Sequence, residues 1–86
     1  MNAILLEFPK EGEELTFGQK AVGIKFNPSG STEVDKAKLL QAAAIDQLHN
    51  LRTRSESSEQ KRLASVAITE IQGSQMWGVK AITWQD

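Results

Sequence analysis

The chain has 86 residues, no cysteine and one histidine, and its 10 basic and 11 acidic side chains give a net charge of −1 at pH 7. A chain of this length forms one domain and buries only about 60% of the surface that its unfolded form exposes, so its core is small. Disulfides and metal ions usually supplement such a core, and this composition excludes both, which leaves self-association. The low net charge argues against binding to DNA or RNA polymers, which need a basic surface.

The N-terminal segment has no pattern of a membrane or secretory signal. Its apolar run, residues 3–6, is much shorter than the ~20 residues that span a bilayer, and no basic segment precedes it. We therefore expect a cytoplasmic protein without a membrane partner. Residues 1–14 lack helical and strand periodicity, so they are predicted to form an extended arm of a single domain that covers residues 1–86. Its apolar residues are expected to dock on a neighbouring subunit: Ile4, Leu5, Leu6 and Phe8.

Capping residues and hydrophobic spacing predict three helices. A short helix covers residues 16–22, with Thr16 as N-cap and Gly23 as the residue that ends it in the left-handed region. A second helix runs from about Thr32 to Arg54 after a turn at residues 27–30. Its predicted apolar stripe is Val34, Ala37, Leu40, Ala44, Leu48 and Leu51, widened by Ile45 with Ala42 and Ala43.

The third predicted helix runs from about Ser58 to Thr83, after a segment in which Ser57 and Gln60 have capping-box spacing. Because the linker between the two long helices is short, they should be antiparallel neighbours. The predicted fold is therefore all-α, a short N-terminal helix followed by a long helical hairpin.

The second half of the third helix carries more apolar surface than one partner helix can cover. Gly73 and Gly78 interrupt it at a cost of about 1 kcal/mol each relative to alanine, and we expect them to allow close approach of another backbone. These features predict a homo-oligomer with the third helix near its centre. The apolar residues concerned are Ile68, Ile71, Met76, Trp77, Val79, Ala81, Ile82 and Trp84.

The sequence contains no catalytic pattern that we can identify. Glycine-rich phosphate loops, dinucleotide fingerprints and serine nucleophile elbows are absent. His49 has no metal-ligating partners at a recognisable spacing and is expected to be a packing or surface residue. The acidic run at residues 11–14 is typical of a solvated surface. We therefore predict that the protein is not an enzyme and uses no metal or other cofactor.

The stretch from Phe26 to Lys38 has the composition of a small anion or nucleotide site. Phe26 can stack on a base, the following turn and helix start offer backbone N–H groups, and Lys36 and Lys38 can meet phosphate. The alternatives are that Phe26 belongs to the core and that both lysines simply face solvent. A second possible phosphate patch lies at the hairpin turn and comprises Arg52, Arg54, Lys61 and Arg62.

The chain resembles the small phage anti-CBASS proteins, which act as sponges for cyclic oligonucleotide signals. In that family an aromatic residue, often tyrosine followed by histidine and proline, precedes a long helix, and a terminal helix carries an Ala-rich motif around Met-Trp. The similar positions here are Phe26-Asn27-Pro28 and residues 75–82, which read Gln-Met-Trp-Gly-Val-Lys-Ala-Ile. The resemblance extends from about Val22 to Trp84.

This resemblance implies a helical homohexamer that holds cyclic dinucleotides of the cGAMP type in pockets shared between protomers, without cleaving them. Some members also take cyclic trinucleotides in a separate pocket. Such a protein removes the messenger that a bacterium makes on infection, so that the defence effector stays inactive. The alternative function is a helical interaction module whose third helix docks on a host protein and occludes it.

The resemblance places the dinucleotide site at the turn around Phe26 and on the next helix. The family's phosphate-contacting lysine or arginine falls on Gln41, an uncharged residue, so Lys38 or Lys36 is expected to substitute. For the trinucleotide pocket, Arg62 is the nearest arginine to the start of the last helix. The predicted dinucleotide-binding residues are Phe26, Asn27, Pro28, Ser29, Gly30, Lys36, Lys38 and Gln41.

Overall fold

A computed structural model describes residues 6–86 and shows that this part of the chain is helical and contains no strand. The helices are α1 (Phe17–Val22), α2 (Thr32–Arg54) and α3 (Ser58–Thr83). The predicted all-α fold with a helical hairpin is confirmed. Residues 6–16 are irregular and include one turn, in which the N–H of Glu13 donates to the carbonyl of Lys10 at 3.0 Å. Ile4 and Leu5 of the predicted arm lie outside the described residues.

Each helix begins at a hydroxyl group that accepts a hydrogen bond from the first turn. Thr16 Oγ1 accepts the N–H of Gln19 at 3.1 Å, and the Gln19 side chain accepts the N–H of Thr16 at 2.8 Å, which completes a capping box. Ser31 and Ser57 cap α2 and α3. Gly23 ends α1 at φ +63°, so the predicted left-handed glycine is confirmed. Local side-chain chemistry thus sets the helix limits.

The core lies where the three helices meet. Its residues come from α1, from the loop that follows α1, and from the facing sides of α2 and α3. Leu15, Leu39 and Ile71 are among the partly buried residues packed around it. The buried core residues are Val22, Ile24, Ala42, Ile45 and Ile68.

The buried face of α2 agrees with the predicted stripe at Val34, Ala42 and Ile45 but differs from it at Leu40 and Lys38. Leu40 was expected to be buried, but it is 57% exposed, whereas Lys38 is buried. The buried positions still follow the helical repeat, since they lie three or four residues apart. A lysine can occupy one of them because its ammonium group finds polar partners in the loop before α2. These positions are Val34, Lys38, Ala42 and Ile45.

The backbones of α1 and α2 come very close at Gly18. A Cβ atom on this residue would overlap the carbonyl oxygen of Ala42. One turn later on α2, the Asp46 carboxylate accepts the N–H of Gly18 at 2.6 Å and the hydroxyl of Thr16 at 2.7 Å. The same carboxylate therefore holds both the cap and the first turn of α1.

Aromatic and cationic contacts hold α1 further along α2. The rings of Phe17 and His49 stack with centroids 4.1 Å apart and planes 7° from parallel. The guanidinium of Arg52 lies 5.3 Å from the centre of the Phe17 ring. His49 is thus a packing residue, as expected from the sequence.

The second half of α3 leaves large apolar side chains in solvent. Met76 and Trp77 are each 70% exposed. A Cβ atom on Gly73 would meet nothing within 4 Å, and one on Gly78 would make only an ordinary contact at 3.9 Å. The close backbone approach predicted at these glycines does not occur within the described chain, whereas the predicted excess of apolar surface is present.

Replacing Gly18 with alanine should destabilise the fold, because the new methyl group would overlap the Ala42 carbonyl. We expect a loss of about 1–3 kcal/mol in the free energy of unfolding, in spite of alanine's higher helix propensity. Urea unfolding at a fixed protein concentration measures this loss. Lys20→Ala, an exposed change in the same helix, is the control and should stay within about 0.5 kcal/mol of wild type. A Gly18→Ala protein as stable as the control would contradict the close contact.

Candidate functional site

A groove with a volume of about 410 Å³ opens between the loop after α1, the start of α2 and the end of α3. Because α2 and α3 are antiparallel, the start of one lies beside the end of the other. The hairpin thereby brings together two segments that are far apart in sequence. The groove is lined by Phe26, Asn27, Pro28, Ser29, Val34, Lys38, Gln75, Met76, Val79 and Thr83.

Phe26 is the most exposed large apolar residue of the described chain, with 73% of its surface accessible. Its backbone is nevertheless fixed, since its N–H donates to the carbonyl of Gly23 at 2.9 Å. The alternative that Phe26 belongs to the core is therefore wrong. The ring is a flat apolar surface at the side of the groove, held by an ordered turn.

Asn27 organises the turn with its side-chain amide. Its Nδ2 donates to the carbonyl of Ser31 at 2.8 Å and to Asp35 Oδ1 at 3.0 Å, and its Oδ1 accepts the hydroxyl of Ser29 at 2.6 Å. Gly30 has φ +68° and donates its N–H to the Asn27 carbonyl at 3.2 Å, but it does not line the groove. These polar groups shape the turn through bonds within it and join it to Asp35 of α2.

Lys38 is buried, with 4% of its surface exposed. Its ammonium nitrogen donates to the carbonyl of Gly23 at 3.0 Å and to the carbonyl of Phe26. It also lies 5.6 Å from the centre of the Phe26 ring. The interpretation that this lysine simply faces solvent is thus wrong, whereas a contact with phosphate stays a prediction.

The other two predicted residues of α2 differ in their surroundings. Lys36 is exposed and does not line the groove. Gln41 is half-buried and faces α3, since its Nε2 lies 3.9 Å from the position of a Cβ on Gly78. Its Oε1 is buried and accepts no hydrogen bond from residues 6–86. Their roles in binding stay predictions.

The N-terminus of α2 is capped by a hydroxyl group and carries two carboxylates in its first turn. Ser31 Oγ accepts the N–H of Val34 at 3.4 Å, and Glu33 and Asp35 place two carboxylates in the first turn. Negative side chains at this end compensate the positive end of the helix dipole. Anion binding at this helix end stays a prediction.

Arg62 lies far from the groove. It is exposed near the start of α3, and 13 residues separate it from Gln75, which corresponds to about 20 Å along a helix. Its guanidinium pairs with Glu59 at 2.5 Å. This hydrogen bond lowers the pKa of the Glu59 carboxyl and raises the pKa of Arg62. A trinucleotide site at Arg62 would thus be separate from the groove.

The second predicted basic patch is partly engaged within the chain. Arg52 donates to the hydroxyl of Ser65 at 3.1 Å and contacts His49 Nδ1 at 2.9 Å. Together with the pairing of Arg62, these bonds use two of the four positive groups. The bond between Arg52 and Ser65 connects α2 to α3 near the hairpin turn.

The sequence interpretation missed several residues that line the groove. Val34 and Thr83 were not predicted, and Gln75, Met76 and Val79 belonged to the motif of the last helix without an assigned place in the site. The available signal was the antiparallel hairpin, which puts the end of α3 beside the start of α2. The groove thereby joins the two motifs on which the family resemblance depends.

Within residues 6–86, no group of His, Asp or Glu side chains has the arrangement of a metal site. The three described helices also lack a segment long and apolar enough to cross a membrane. What the groove offers a ligand is an exposed aromatic ring, apolar side chains from both long helices and one lysine, Lys38.

Fold and groove together define a small helical-hairpin protein with an open site edged by an aromatic residue. A family model described as Acb2/Tad1, hairpin domain, matches residues 19–83, so the chain belongs to the Acb2/Tad1 family. The resemblance to anti-CBASS sponge proteins is confirmed, and the family name implies an anti-defence, nucleotide-binding role. All residues that line the groove fall within the matched range. Comparisons with curated proteins and with solved structures give no match.

The exposure of Phe26 predicts that its side chain contributes little to folding. Phe26→Ala should change the free energy of unfolding by no more than about 1 kcal/mol, the value of a cation–π contact such as that with Lys38. Val34→Ala is the buried comparison and should cost about 1.5 kcal/mol or more, at about 0.8 kcal/mol for each buried carbon removed. Thermal unfolding of dilute protein distinguishes the two. A larger loss for Phe26→Ala than for Val34→Ala would contradict the exposed position.

Proposed function

We propose that this protein binds cyclic dinucleotides of the cGAMP type and sequesters them without cleavage. The observation that carries the proposal is Phe26, 73% exposed beside a groove that the Acb2/Tad1 hairpin forms. Sequestration lowers the free concentration of the messenger, so the effector of a bacterial CBASS defence stays inactive. In this proposal the protein is made by a phage and acts in the cytoplasm of the infected cell.

In the proposed complex, Phe26 stacks on one base of the ligand, a contact worth about 1–3 kcal/mol. Asn27, Pro28 and Ser29 form the adjoining wall of the groove, and Gly30 permits the turn. Lys36 is the exposed ammonium group on the first turns of α2 and is the candidate phosphate contact. Gln41 and Lys38 complete the proposed set, with Gln41 offering an unpartnered acceptor within the described chain.

The proposed assembly is a homohexamer in which neighbouring protomers share each site. A two-fold interface presents two copies of Phe26 and two copies of a lysine to a ligand that itself has two bases and two phosphates. Met76 supports this arrangement because it lines the groove and also belongs to a second, smaller pocket of about 280 Å³ on the exposed side of α3. Apolar surface that needs a partner therefore adjoins the ligand site.

A separate site for cyclic trinucleotides around Arg62 is the second part of the proposal. Arg62 is exposed and carries a positive charge near the start of α3. A phosphate at this position would have to displace the Glu59 carboxylate from the guanidinium, so binding there exchanges one anion for another. The gain from a solvent-exposed ion pair is small, and several protomers would have to contribute.

The second candidate function is a helical interaction module that occludes a host protein. The exposed side chains of Met76 and Trp77 favour it, because an uncovered apolar surface serves equally well for a foreign partner. The oligomeric state separates the two functions. A sponge with shared pockets uses this surface for copies of itself, whereas an occluding module keeps it free in the isolated protein.

Calorimetry with cyclic GMP–AMP should show tight binding by the wild type and none by Phe26→Ala. Leu63→Ala is the control, since Leu63 is also a large exposed apolar residue but does not line the groove, and it should bind as the wild type does. Heat denaturation of the complex should return the cyclic ligand intact. Absence of heat on titration, or recovery of linear nucleotide, would contradict sequestration.

Sedimentation of the purified protein should give a homohexamer at micromolar concentration. Trp77→Glu places a charge on the exposed apolar face of α3 and should dissociate the assembly, whereas Thr69→Glu adds a charge at an exposed polar position and should leave it intact. A wild-type monomer would favour the interaction module instead.

A further inference from the structure

We infer that Lys38 is a positioning residue, whose buried ammonium group holds the Phe26 turn in the shape that binds ligand. This inference rests on the proposed function for its consequence in binding, but the contacts that carry it lie within the chain. It differs from a role in contacting phosphate, because the ammonium acts through the backbone of the turn.

Two carbonyl groups of the turn share one hydrogen-bond donor, the ammonium of Lys38. Phe26 donates its N–H to the Gly23 carbonyl at 2.9 Å, and the carbonyls of both residues accept a hydrogen bond from Lys38. Two carbonyl oxygens, three residues apart, therefore converge on one point. Partial negative charges repel each other unless a donor lies between them, and the ammonium of Lys38 occupies that place.

The burial of Lys38 makes this role specific. With 4% of its surface exposed, its side chain has little access to solvent, and a buried charge is stable only when polar groups surround it. An ammonium group has three donors, of which two are used by the carbonyls of Gly23 and Phe26. The same nitrogen lies 5.6 Å from the centre of the Phe26 ring. Backbone and ring of Phe26 are thus both in contact with one side chain of α2.

The consequence for binding follows from the way in which Phe26 is attached. A ring that stacks on a base must be held at a fixed position before the ligand arrives, since any time spent elsewhere reduces the apparent affinity by the same fraction. Without the ammonium, the Phe26 carbonyl loses its partner, and the turn should populate other shapes. Lys38 therefore sets the fraction of protein that is ready to bind.

Lys38→Met keeps an unbranched apolar side chain but removes the charge and its donors. We expect faster hydrogen exchange at the Phe26 and Gly30 amides of the free protein, with helix amides unchanged. The affinity for cyclic GMP–AMP should fall by about ten-fold, which matches the loss of one buried carbonyl's partner. The dependence of affinity on salt concentration should remain that of the wild type, because no contact with phosphate is removed.

Lys36→Met is the matched control, a lysine-to-methionine change two residues away at an exposed position. It should leave the exchange of the turn amides unchanged while it weakens the salt dependence of binding. Lys38→Arg keeps a positively charged donor, so the protection of its turn amides from hydrogen exchange should lie between that of the wild type and that of Lys38→Met. This variant also tests the inference if Lys38→Met does not fold.

Three outcomes would overturn the inference. A Lys38→Met protein with normal turn exchange and a weaker salt dependence would make Lys38 a direct phosphate contact. Faster exchange throughout α2 and α3 would make its role purely structural, and no change in exchange or affinity would remove it from the site. The hydrogen-exchange measurement on the free protein needs no ligand. Failure of the wild type to bind cyclic GMP–AMP would therefore refute the proposed function without affecting the test of how Lys38 holds the turn.

Discussion

The connection between α1 and α2 depends on a single ammonium group buried beneath it. The end of a helix leaves carbonyl groups without intrahelical partners, and the loop after α1 adds more of them. Lys38 on α2 donates hydrogen bonds to the carbonyls of Gly23 and Phe26. Its buried charge thereby gains polar partners, and the two loop carbonyls gain a donor. Its aliphatic stem meanwhile occupies a position on the apolar face of the helix. The same side chain therefore connects the loop, the start of α2 and Phe26 at the edge of the groove.

The helix limits could be predicted from the sequence because each depends on neighbouring residues only. Thr16, Ser31 and Ser57 each cap the helix that follows, and Gly23 ends α1 with a positive φ. The predicted ranges of α2 and α3 agree with the observed ones for the same reason. Short-range hydrogen bonds of this kind can be predicted from a few adjacent residues of the sequence.

The burial of Lys38 on α2, in place of Leu40, could not be predicted in the same way. Hydrophobicity favours Leu40 over Lys38 for an interior position, and the structure reverses this order. The reversal depends on carbonyl groups that lie 12 and 15 residues earlier in the chain, and no local pattern specifies that contact. The lining of the groove was likewise predictable only in part. The sequence around Phe26 suggested that this residue belongs to a site, whereas Val34 and Thr83 line the groove only because of how α3 packs on α2.

The exposure of the two tryptophans has a consequence for how this protein is observed. Trp77 and Trp84, the only ones in the sequence, are 70% and 63% exposed, and neither belongs to the core. Indole emission responds to contact with water, so unfolding an isolated chain would alter it little, whereas covering α3 would shift it to shorter wavelength. The tryptophan fluorescence of this protein would consequently report whether α3 is covered by a partner rather than whether the chain is folded.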